Sequence, residues 1–177
     1  ASLATLETTA QNRRNRLLDY YEFRHSALAE AATDRMKRVV IVPGSDPGTA
    51  AHVIGLLLRN GIEVTRLRQP GASRAAHGYF GGGAVPRTFP IGSYVIDLNQ
   101  PQRRIAKGLL EPQAELQRSY VERELAKFQR NRRRGEDADK EEYGFYDITA
   151  WSLPLTFNLE AYWTEDAAPG PGEAVTD

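Results

Sequence analysis

Between Leu3 and Thr33 the chain has neither glycine nor proline. Apolar residues recur there at Leu3, Leu6, Ala10, Leu17, Tyr20, Tyr21 and Leu28, close to heptad spacing, with Arg13 and Arg24 interrupting the seam. The pattern predicts one long helix, either packed along the side of a domain or joining it to another domain that covers its apolar face. The pattern changes at Val39-Val40-Ile41-Val42-Pro43, a continuous apolar run that suits a strand buried on both faces. Gly44-Ser45-Asp46-Pro47 follows as a tight turn, with Asp46 placed to N-cap a helix and Pro47 at its first position. Ala50, Val53, Ile54, Leu57 and Leu58 then keep helical spacing, Gly61 suits the residue after the helix, and Ile62 to Leu67 reads as the next strand. Strand, helix and strand in that order predict a βαβ unit and a parallel sheet.

Residues 69–92 are rich in Gly, Ala and Pro around Gly81-Gly82-Gly83, and read as a loop with room for a short hairpin at Arg87-Thr88-Phe89-Pro90. Ser93 to Leu98 is another apolar strand. Pro101 opens a helix with Ile105, Ala106, Leu109 and Leu110 on its inner face, closed by Pro112. Residues 113–134 form a charged amphipathic helix with Leu116, Tyr120, Val121, Leu125 and Phe128 on one side. Its basic end, Arg130 to Arg134, meets the acidic Glu136 to Glu142, which predicts an exposed, mobile insertion. Asp147 and Thr149 can cap a last short helix through Phe157, and Leu159 to Trp163 is a final strand. The expected organisation is an N-terminal helix or connector (1–36), an α/β domain (37–165) carrying the charged helical insertion (113–142), and a disordered tail (166–177).

Composition narrows the function more than the fold. In the 177 residues, 23 Lys and Arg balance 23 Asp and Glu, so no net field recruits nucleic acid or an anionic membrane. The longest apolar runs, Val39 to Pro43 and Ile54 to Leu58, are too short to cross a bilayer. The flank of Ala1 has neither the basic nor the apolar region of a signal peptide, and reads as a cut inside a longer protein. Absence of cysteine removes disulfides, thiolate zinc sites and a cysteine nucleophile together. His25, His52 and His77 are followed three positions on by Leu28, Gly55 and Phe80, so neither His-x-x-Glu nor His-Glu-x-x-His occurs. Gly-x-Ser-x-Gly is absent too, and Gly44-Ser45-Asp46 is better read as a capping turn. That turn presents a helix N-terminus to an anion, against which Asp46 acts. Gly81-Gly82-Gly83 matches no phosphate-binding loop. Arg130 to Arg134 lack the interleaved exposed aromatics of a single-strand binder, and suit a helix C-terminus. Trp151, Trp163, Tyr143, Tyr146 and Tyr162 serve either the core or an apolar contact with another domain.

Two stretches carry a family resemblance. They are Pro86-Arg87-Thr88-Phe89-Pro90-Ile91-Gly92-Ser93-Tyr94-Val95-Ile96-Asp97-Leu98-Asn99-Gln100-Pro101, continuing to Pro112, and Tyr146-Asp147-Ile148-Thr149-Ala150-Trp151-Ser152-Leu153-Pro154. Both resemble the region downstream of the catalytic domain in bacterial zinc carboxypeptidase-like proteins, described as class I glutamine amidotransferase-like. The resemblance implies an α/β fold with a mostly parallel sheet flanked by helices, of the flavodoxin or amidotransferase-like kind, behind the long N-terminal helix. It also implies an exported (secreted or periplasmic) metallocarboxypeptidase as parent, which hydrolyses C-terminal peptide bonds with one zinc in its catalytic domain. This chain would be the non-catalytic accessory domain, without a cofactor of its own and partnered by the upstream catalytic domain of the same polypeptide. Where an amidotransferase carries its cysteine, between strand and helix, this chain has Leu98-Asn99-Gln100-Pro101. Two other readings remain open. One is a peptide or small-ligand module using the crevice at the C-terminal ends of the strands, lined by Gly44, Ser45, Asn99 and Gln100. The other is a cysteine-free hydrolase with an unrecognised site.

Overall fold

The computed structural model describes residues 2–113, 117–134, 138–144, 152–166 and 170–176. Its elements are α1 (Ser2–Gln11), α2 (Arg13–Thr33), β1 (Arg38–Val42), α3 (Pro47–Arg59), β2 (Thr65–Leu67), β3 (Gly71–Gly78), β4 (Val85–Phe89), β5 (Tyr94–Asp97), α4 (Arg103–Leu110), α5 (Arg118–Arg133), α6 (Leu153–Thr156), β6 (Glu160–Thr164) and β7 (Gly172–Ala174).

The strands form one sheet in the order β4-β3-β6-β1-β5-β2-β7, and every neighbouring pair is antiparallel. The mostly parallel, flavodoxin-like sheet is therefore corrected. The β1-α3-β2 crossover does form, with Asp46 accepting from Thr49 N–H at 3.0 Å as N-cap, Pro47 opening α3 and Gly61 at φ +71° beyond it. β1 and β2 also run in the same direction, but they never pair. β5 lies between them and is antiparallel to both. Periodicity along residues 39–67 reports the sequence of elements, while the strand that separates them arrives some thirty residues later.

Chain geometry forces the sheet to curl. β2 and β3 stand four places apart in the order, about 19 Å on a flat sheet at ~4.8 Å per strand. The link from Leu67 to Gly71 reaches at most about 14 Å. Accordingly, the segment after β4 crosses to β2, where Leu67 N donates to Ser93 O and Gly92 N to Leu67 O, each at 2.9 Å. One face buries Val40, Val42, Leu67, Ala76, Phe89 and Val95, residues drawn from five strands, and is the inside of the curl. The other packs Val39, Ile41, Ile96 and Ala161 against Ala50, Val53, Ile54 and Leu57 of α3 and Ala106 and Leu110 of α4. β1 is thus buried on both sides, as its unbroken apolar run requires.

Three regions depart from the sequence expectations. The stretch 69–92 is the long β3–β4 hairpin, whose alternation is hidden by small residues and by a bulge between Ser73 and Ala76. Asp166 staples that bulge, accepting from Ser73 Oγ at 2.6 Å and Arg74 N at 2.7 Å. In the tail, β7 pairs with β2 rather than leaving 166–177 without structure. On α5 the expected apolar face stays open, with Leu125 and Phe128 exposed, while Glu124 and Asn131 are buried. Segment 138–144 folds back onto α5. There Asn131 exchanges two hydrogen bonds with Glu141, Arg130 pairs with the Glu141 carboxylate at 2.7 Å, and Gly144 N donates to Glu124. Leu116, Glu136, Tyr146, Asp147, Thr149 and Trp151 lie outside the described residues.

Candidate functional site

The four crevice residues do not meet. Gly44 and Ser45 follow the end of β1, and Asn99 and Gln100 follow the end of β5. β1 and β5 are antiparallel, with Arg38 opposite Asp97 and Ile41 opposite Tyr94. The two loops therefore lie at opposite ends of the sheet, separated by roughly 14 Å of strand plus the loops themselves. A shared crevice needs parallel strands, and falls with them. Gln100 is buried at 2 % exposure, and its amide accepts from Glu63 N at 2.7 Å while donating to Asp97 O and Glu63 O at 2.6 and 3.1 Å. It is a clamp between β2 and β5. Gln100→Ala orphans Glu63 N–H, and equilibrium urea unfolding is expected to show a loss of about 1–3 kcal/mol.

Among the described residues, His77 is the buried histidine and the first acid–base candidate to weigh. His77 on β3 lies flat on Trp163 of β6, with ring centroids 3.7 Å apart, and its Nε2 is 2.7 Å from Glu165 Oε1. Arg35 bonds the same carboxylate at 2.7 Å through Nε. The hydrogen bonds from Arg35 and His77 hold the Glu165 carboxyl below the usual range. Ser73, the nearest buried hydroxyl on β3, donates to Asp166 rather than to His77. Among the described residues no nucleophile bonds His77, and no group of three His, Asp or Glu is gathered as a metal site. The arrangement ties the α2–β1 junction to β3 and β6.

A larger feature is the helix pair α1–α2. From Ser2 to Thr33 only Ala27 and Ala31 are buried. Leu3 is 78 % exposed, Leu6 and Leu17 68 % each, Tyr21 62 % and Tyr20 58 %. The expected single long helix is divided at Asn12 into α1 and α2; only the small Ala27 and Ala31 near its C-terminal end are buried, and its larger apolar residues stand in water. A charged clamp fixes the base of the helix. Arg103, 3 % exposed on α4, pairs with Asp34 just beyond α2, and Lys107 Nζ joins the same carboxylate at 2.6 Å. Arg104 reaches Glu30, Phe23 O and Ser26 Oγ, and Lys37 Nζ bonds the carbonyls of Ala31 and Ala32 at 2.9 and 2.8 Å. Burial pushes the Asp34 carboxyl up, but the Lys107 and Met36 hydrogen bonds, with the charges of Lys107 and Arg103, outweigh it and leave it below its ordinary value. The effect is to fix the base of a mostly charged helix that carries large exposed apolar residues.

Of this site, the seam was legible in the sequence and its exposure was not. The clamp joins residues about seventy positions apart, and no local pattern announces it. Comparison of the chain with protein-family models, with curated proteins and with solved structures finds no match.

Proposed function

We propose that this chain is a non-catalytic accessory domain, and that the exposed face of α1–α2 docks against the catalytic domain of an exported zinc metallocarboxypeptidase-like parent. The observation that carries the docking role is the exposure of Leu3 and Leu6 on α1 and of Leu17, Tyr20 and Tyr21 on α2, whose base is held by the Arg103–Asp34 pair. Burying each large apolar side chain yields about 1.5–3 kcal/mol. A helix with few tertiary contacts is marginal in water, and several large apolar side chains left exposed on it are favourably covered by a partner. The identity of the neighbour rests on the resemblance of residues 86–112 and 146–154 to the region behind such catalytic domains. Zinc and peptide hydrolysis would belong to the neighbour, where the His-x-x-Glu motif lacking here would be found.

Reading the coding sequence upstream of Ala1 tests the parentage. A His-x-x-Glu motif followed by a distant second histidine supports it, and a neighbour of another fold overturns it. The chain alone is expected to release no C-terminal residue from peptides, with or without added zinc, and to retain no zinc after dialysis against a weak chelator. One tightly held zinc per chain by elemental analysis, or turnover by the chain alone, contradicts the assignment.

A further inference from the structure

β7 sits on the outer edge of β2 much as a bound peptide sits on a receptor strand. Thr65 pairs with Ala174, Arg66 with Glu173 and Leu67 with Gly172. Arg68 N donates to Pro171 O at 3.3 Å, and Val175 N to Val64 O at 2.9 Å. Little else holds the strand. All three of its residues are exposed, and only the neighbouring Val175 packs against the core. The Arg68–Glu173 ion pair lies in solvent, with side chains 70 % and 45 % exposed, where such pairs contribute little. β2 itself is fixed from the other side by its pairing with β5, and Val64 and Leu67 are buried. Departure of β7 would leave the sheet whole and an unpaired backbone edge open.

We propose that the outer edge of β2 is a strand-accepting site for an extended peptide from another polypeptide, kept closed by the chain's own residues 171–175. The seated strand defines the ligand. A Cβ on Gly172 would lie 3.0 Å from Arg66 O and 3.3 Å from Thr65 Cβ, so that position takes glycine. Arg68 Nε donates to Glu173 at 2.8 Å, which makes an acid compatible next and a base unfavourable. A small residue follows as Ala174 does, and then a β-branched aliphatic one at the core margin as Val175 does. A groove of about 460 Å³, lined by Arg66, Leu67, Arg68, Ile91 and Gly92 and closed on one side by Glu173 of the seated strand, borders the site. Main-chain pairing supplies affinity and the alternate side chains supply specificity, as in strand addition generally. For an open population of about 1 %, an outside peptide binds about 100-fold more weakly than it would to the free edge.

The test uses the full chain, a full-chain Gly172→Val/Val175→Asp variant that loosens the tail, and a fluorescent peptide of residues 170–177 read by anisotropy. The variant is expected to bind the peptide about 100-fold more tightly than the unsubstituted chain. Binding should vanish when the peptide's central glycine, equivalent to Gly172, is replaced by valine. Equal affinity of the two chains, or no binding by a folded variant, overturns the proposal. Hydrogen exchange on the unsubstituted chain gives an independent reading. The Arg68 and Val175 amides are expected to exchange at least about 100-fold faster than those of β1. Protection equal to that of β1 makes β7 a permanent strand and overturns the proposal whether or not the variant folds. None of these outcomes depends on what covers α1–α2.

Discussion

Phe89→Ala is expected to destabilise the chain by about 3–5 kcal/mol in equilibrium urea unfolding, with little change in the slope of the transition. Phe89 ends β4, the first strand in the sheet order, and is fully buried. It lies in one cluster with Leu67 of β2, the sixth strand in the order, and with Val40, Val42 and Val95 between them. Its ring also meets Tyr162 at a 5.7 Å centroid distance, tilted by 55°. Such a cluster requires a sheet curled on itself, so the size of the loss measures the closure. Val85, at the other end of β4, is 51 % exposed, and Val85→Ala should stay within about 0.5 kcal/mol. Comparable small losses for both would mean that the inside of the curl is not closed.

Arg103→Met is expected to cost about 3 kcal/mol, near the lower end of what removing one partner from a buried pair costs, because Lys107 remains beside Asp34. The change should also free the base of α2. Amide exchange around Ala27 and Ala31 should then accelerate while β1 stays protected. Acid acts on the same clamp. The Asp34 carboxyl is below its ordinary value in the folded chain, so its contribution is complete above about pH 4 and is lost as pH falls through the lowered value. In Arg103→Met that acid loss should shrink, because part of what lowers the Asp34 value is gone. An Arg103→Met chain as stable as the unsubstituted one, with α2 still protected, would show that Ala27 and Ala31 alone hold the helix.

The elements with strong local signals were readable from the chain. Asp46, Pro47 and Gly61 bracket α3 as their chemistry requires, and Val39 to Val42 form the doubly buried strand. Strand direction was not readable in the same way. A βαβ pattern is the same whether its strands touch or are parted, and β5 parts them here. The β3–β4 hairpin escaped because Gly, Ala and Ser carry little hydrophobic contrast, so alternation is mute where side chains are small. β7 escaped for a related reason, since its fixed partner is an edge a hundred residues away and its own residues bury almost nothing. The crevice of Gly44, Ser45, Asn99 and Gln100 depended wholly on the parallel assumption, and Gln100 proved to be an internal clamp. The α1–α2 seam stood out as a heptad pattern, but periodicity gives a face without saying whether the chain itself covers it.

Thiol accessibility at Leu6 tests the docking account most directly, because the chain has no cysteine and a Leu6→Cys variant carries a single reporter. Leu6 is 68 % exposed in the chain alone, so the thiol should react with a bulky maleimide at close to the rate of a free thiol. In the longer polypeptide that contains the proposed zinc-binding neighbour, the same thiol is expected to react at least about tenfold more slowly, as an interface residue opening only transiently would. Leu17→Cys should follow it, and Glu22→Cys, at an exposed polar position, should react alike in both settings. Equal rates at Leu6 and Leu17 in the chain alone and in the longer polypeptide would leave the face bare in both and contradict the docking role.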